Sequence, residues 1–132
     1  MAFVKSNAGK TACASQVTAG SVGGFMGALG GTAGGGLIKV YTAGNALLLA
    51  TFTLPALTNS GNGLITMSGT APVATPGNNG LATTYDLCTS GGTVLGTGTV
   101  TATGGGGDLT FNNTTFATTS NVTLATWTHQ EN

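Results

Sequence analysis

GLIKVYTAGNALLLATFTLP, residues 36–55, decides the fold. Ile38 and Val40 alternate with Leu37, Lys39 and Tyr41, the two-residue period of a strand with one buried face. TAGN interrupts the pattern as a turn. Leu48, Ala50, Phe52 and Leu54 then share a second buried face, and Pro55, which has no N–H for a ladder, stops the strand. The stretch reads as two successive short strands.

The same texture continues downstream. NGLITMSG follows the Asn62-Gly63 step, a dipeptide that favours tight turns. LATTYDLCT sets Leu81, Thr83, Tyr85 and Leu87 against Ala82, Thr84, Asp86 and Cys88. Ser90-Gly91-Gly92 turns the chain into TVLGTGTVTAT. DLTFNN is short, and NVTLATWTHQ places Val122 and Leu124 opposite Thr123, Ala125 and Trp127. That makes seven strands, with an eighth expected near residues 15–19. No segment carries an apolar i, i+3, i+4 stripe of helical length, and abundant glycine and threonine oppose helix. Short strands at even spacing, separated by Gly, Pro and Asn, predict an all-β fold. The expected form is an antiparallel β-sandwich of jelly-roll type.

TGGGGDLTFNN, residues 103–113, reads as strand, loop, strand. No helix follows the glycines to aim N–H groups at a phosphate. The glycines are expected to take positive φ, and Asp108 to hydrogen-bond the turn backbone. SNAGKT, residues 6–11, ends like a phosphate-binding loop, but Val4 stands where that motif requires its first glycine.

Charge is scarce: three lysines, no arginine, three acids and zero net charge make 5% of the chain, against about 25% in ordinary domains. Without a Lys/Arg cluster the chain has no means of releasing counterions from nucleic acid and no attraction to an anionic membrane surface. A surface so neutral tends to associate. The expected partner is therefore another protein surface or further copies of the chain. Residues 17–38 are uncharged but too rich in glycine for a membrane helix, and the first residues lack the apolar run of a signal peptide.

Chemistry has little to work with. Cys13 and Cys88 lie far apart without a CxxC pattern and read as two buried thiols, with one disulfide as the alternative. A Cys88/His129 pair lacks a third, orienting group. Asp86 and Asp108 could in principle pair as carboxylates, yet one stands in a strand and the other at a turn. A metal site needs three or four His, Cys, Asp or Glu together. The reading is of a non-enzyme with no cofactor and no metal. Asn113-Thr114-Thr115 and Asn121-Val122-Thr123 match the glycosylation sequon, as chance predicts in so Asn- and Thr-rich a chain.

Residues 48–51 (LLAT), 92–100 (GTVLGTGTV), 107–112 (GDLTFN) and 121–128 together resemble small virion proteins of tailed bacteriophages, over roughly residues 36–128. The resemblance lies in strands and turns rather than in chemical residues. It implies a capsid decoration (cement) protein on the outer surface of an icosahedral virion, gripping the major capsid protein, with a tail or fibre component as the alternative. Residues 1–35 are then a Gly-rich arm ahead of a domain at 36–132. An arm of this kind can wrap a partner, with Phe25, Met26 and Leu29 as apolar anchors, or add an edge strand to its own domain. With few lysines to block strand addition, a homodimer or homotrimer is expected.

Overall fold

A computed structural model of the protein describes residues 4–5, 34–59, 64–124 and 127–130. The anchors Phe25, Met26 and Leu29, together with Cys13, the SNAGKT stretch, the Asn62-Gly63 step and the expected strand at 15–19, lie outside the described residues.

The described chain is all-β apart from one 3-10 turn, Ala43–Asn45. Its strands are β1 (Val4–Lys5), β2 (Leu37–Tyr41), β3 (Leu48–Thr53), β4 (Leu57–Asn59), β5 (Leu64–Met67), β6 (Val73–Ala74), β7 (Gly80–Leu81), β8 (Thr84–Cys88), β9 (Val94–Ala102), β10 (Leu109–Phe111), β11 (Thr115–Phe116), β12 (Val122–Thr123) and β13 (Thr128–Gln130). The main sheet runs β1-β9-β8-β2-β3, with β10 also on β9. The two strands expected within residues 36–55 are β2 and β3, which pair antiparallel. Val4–Lys5 pairs antiparallel with β9, so this part of the amino-terminal segment adds an edge strand to its own domain.

The remaining pairings are nested. β5 pairs with β13, β6 with β12, β7 with β11 and β8 with β9, all antiparallel. Residues 64–88 and 94–130 thus run as two sides of one antiparallel ribbon whose closed end is the β8–β9 turn. One buried cluster unites its parts. Ile38, Phe52 and Leu87 form one cross-strand row, and Leu57, Ile65, Phe111, Phe116, Leu124 and Trp127 join the same core. Phe111 stacks on Phe52 at 5.6 Å and meets Phe116 edge-on at 5.2 Å, arrangements each worth about 0.5–1.5 kcal/mol beyond simple burial.

Several expectations are corrected. β10 pairs with β9 in parallel, not antiparallel. Parallel neighbours ordinarily need a crossover of about a dozen residues; here residues 103–108 suffice because the return passes over Thr101. A Cβ on Gly105 or Gly107 would come within 2.8 Å of the Thr101 side chain, and Gly104 and Gly106 sit at φ +88° and +81°. Asp108 then anchors the return, accepting from the Thr99 N–H at 3.0 Å and its hydroxyl at 3.2 Å.

Leu48 is exposed rather than in the core, because the ladder shifts at Val40/Tyr41 and Leu49 takes the buried position. Leu81 is exposed because β7 ends before β8 begins. Asp86, set by the alternation on the face opposite Tyr85 and Leu87, is only 7% exposed, and Cys88 is the buried thiol expected of it. The last strand is two, β12 and β13, and Trp127 lies with Leu124 in the core rather than opposite it. Among the described residues no helix is long and apolar enough to cross a membrane.

Candidate functional site

The chemistry-bearing side chains gather on the face of β2 and β8 that points away from the core. Lys39 stands opposite Asp86 in register, Leu37 opposite Cys88 and Tyr41 opposite Thr84. Asn45 reaches this row from the 3-10 turn. It is the one non-glycine residue at positive φ among the described residues, at 56°, and its amide closes a network: Nδ2 donates to Asp86 Oδ1 at 3.0 Å and Oδ1 accepts a short hydrogen bond from the Thr84 hydroxyl. The left-handed backbone costs about 1 kcal/mol, and the paired carboxylate offsets it, since a buried charge without a partner costs more.

This row does not activate a nucleophile. Burial pushes the Cys88 thiol up, Lys39 draws it down and Asp86 raises it again; the balance is upward. The thiol therefore stays protonated at neutral pH, the reverse of what attack requires. Tyr41 is raised first by burial, then by Asp86 and Cys88. Cys88 is a free thiol in β8 of the main sheet, whereas His129 lies in β13, which pairs with β5. Asp86 and Asp108 are committed to different partners, Asn45 and Thr99, so they do not form a facing pair. Among the described residues no three of His, Cys, Asp or Glu gather as a metal site.

Two surface features remain. One is the outer edge of β3. The Leu54–Gly36 bond fixes which residues face β2, so the backbones of Leu49, Thr51 and Thr53 point outward. Gly77 N–H covers Leu49 O at 2.8 Å and Asn78 Nδ2 covers Leu48 O at 2.9 Å. No described group bonds the outward N–H and C=O of Thr51 and Thr53. A groove of about 390 Å³ lies between residues 48–51 and 74–78, with Leu47 and Leu48 exposed at the start of the strand.

The other is a depression of about 300 Å³ lined by residues of 111–123. Its walls are asparagines, threonines and a serine together with Phe111, Ala117 and Val122, with no charged residue among them. Asn113 and Asn121 had been visible in the sequence only as sequon matches, and Asn45 only as part of a turn. Family models, curated proteins and solved structures yield no match to this chain.

Proposed function

We propose that the chain is a non-enzymatic virion structural protein that decorates and stabilises an icosahedral phage capsid by clamping neighbouring major capsid subunits. The observation that carries this reading is the edge of β3 that no described segment pairs with. Proteins that live as free monomers blunt such edges with lysine, proline or a covering segment. Among the described residues none of these guards residues 51–53 (TFT), and the chain as a whole has zero net charge to hold copies apart. An uncharged open edge invites addition of a strand from a neighbour, either a second copy in a homodimer or homotrimer or the major capsid protein. Repetition over a shell turns many modest contacts into firm attachment. The phage address itself rests on the resemblance of residues 36–128. The nested ribbon of β5–β8 with β9–β13 supports the jelly-roll form of the sandwich.

The edge is tested by Thr51→Lys/Thr53→Lys, two exposed positions where lysine leaves the core intact. Occupancy on purified shells should fall at least tenfold and shell melting should drop to that of undecorated shells. Unchanged occupancy would remove the edge from the account. The uncharged depression at residues 111–123 favours a second reading, a tail or fibre component with a receptor- or glycan-binding role.

A further inference from the structure

We propose that the depression at residues 111–123 is a binding site for a neutral carbohydrate. The inference stands apart from the capsid reading and does not depend on it. Its cavity of about 300 Å³ lies at the small end of ligand sites, which run from about 300 to 1,000 Å³, a size suited to a single sugar unit.

The asparagines supply the chemistry. Asn113 Oδ1 accepts from Thr115 N–H at 2.9 Å, Asn112 Oδ1 from the Thr103 hydroxyl at 3.2 Å and Asn121 Oδ1 from the Thr75 hydroxyl at 2.6 Å. Each amide is oriented by its oxygen, and no described group bonds any of the three Nδ2 atoms. The site therefore offers three oriented NH₂ donors, with the hydroxyls of Ser120 and Thr123 able both to give and to accept. Phe111, Ala117 and Val122 supply the apolar element.

That set selects its ligand by exclusion. A carboxylate or phosphate finds no cation among the lining residues. An apolar ligand would strip water from three amides and return nothing, at a cost for each unpaired group. A saccharide presents acceptor hydroxyls to the amides, donors to the serine and threonine, and C–H surface to the apolar lining. The walls are also held in place before binding: the Asn112 and Asn121 bonds tie them to Thr103 and Thr75 in two other segments, and Thr118 N–H donates to Asn79 Oδ1 at 2.9 Å. Such preorganisation lowers the entropy lost on binding.

The test is an NMR titration of the ¹⁵N-labelled full chain with maltose, cellobiose, lactose and diacetylchitobiose. Asn112→Asp, Asn113→Asp and Asn121→Asp follow. Each keeps the internal acceptor oxygen and replaces the NH₂ donor by a carboxylate oxygen, so the fold is retained while the donor is lost. At least one sugar should shift amide signals within residues 111–123 and saturate in the millimolar range. Each aspartate variant should weaken that sugar by about two- to tenfold, the worth of one hydrogen bond. Absence of shifts with all four sugars, shifts confined to other segments, or unchanged affinity in all three variants would each overturn the proposal. Should a variant fail to fold, the location of the wild-type shifts decides the question alone.

Discussion

Replacing Gly98 by alanine tests the packing of the main sheet at its tightest point. Gly98 lies opposite Tyr85 in the β8–β9 ladder, and the tyrosine ring covers the space a side chain would use. An added Cβ would stand 2.6 Å from Tyr85 Cε1 and 2.9 Å from both Cζ and the hydroxyl oxygen, against 3.4 Å or more in ordinary contact. The ring has little room to yield, being 2% exposed. Overpacking of this kind costs about 1–3 kcal/mol. Alanine's smaller backbone entropy returns about 0.4–1 kcal/mol, leaving a net loss of about 1–2 kcal/mol. For a chain of 132 residues that lowers Tm by about 4–8 °C.

Thermal melts followed by circular dichroism read the effect, with Gly77→Ala as control, since nothing lies within 4 Å of its Cβ position. The control should melt at or slightly above the wild-type temperature. In a Tyr85→Leu background, Gly98→Ala should lose most of its penalty, because the atoms it strikes are gone. An equal penalty in both backgrounds, or none in either, would refute the reasoning.

Asn45→Ala should destabilise by about 2–4 kcal/mol, from an unpaired buried carboxylate at Asp86 and a left-handed alanine. Asn45→Gly should cost about 1 kcal/mol less, and urea melts separate the two. Gly107→Ala should distort the return over Thr101 and lower stability by about 1–3 kcal/mol, with faster hydrogen exchange at residues 109–111. Stability should fall with alkali. Tyr85 is raised well above its usual value, by burial first and Asp108 second, with Trp127 opposing; Tyr41 and Cys88 are raised too. A raised acid stays protonated in the native state while the unfolded chain releases its proton. The stabilisation is therefore full below the unfolded pKa, about 10 for tyrosine and 8.5 for cysteine, and is lost above it, for Tyr85 at up to about 1.4 kcal/mol per pH unit, with Tyr41 and Cys88 acting in the same direction. Urea midpoints between pH 7 and 11 test this slope. In a Cys13→Ser background, Cys88 should resist iodoacetamide at pH 8 in the native state and react once unfolded.

Strand identity was legible wherever a single buried face imposed a period of two, as at Ile38 and Val40, or at Tyr85 and Leu87. It failed where the ladder shifts. The irregularity at Val40/Tyr41 sends Leu48 outward and Leu49 inward, and a pattern drawn on residue parity cannot register one extra residue. The two-residue strands β6, β7 and β11 carry too few side chains for any period to show. The parallel pairing of β10 was concealed for a related reason: the glycine run announces a turn, while its direction depends on the close passage over Thr101. The polar features were hardest to read. Asn45 meets Asp86 across 41 positions of sequence, and Asn112, Asn113 and Asn121 become a set only when Thr103, Thr115 and Thr75 have taken their oxygens.

Stoichiometry against the major shell protein in purified particles, by quantitative mass spectrometry, tests the central claim most directly. A decoration protein should stand at one copy per shell subunit or a simple fraction such as one half or one third. A ratio of a few per cent, or absence from the particle, would contradict capsid decoration, the former pointing instead to the tail.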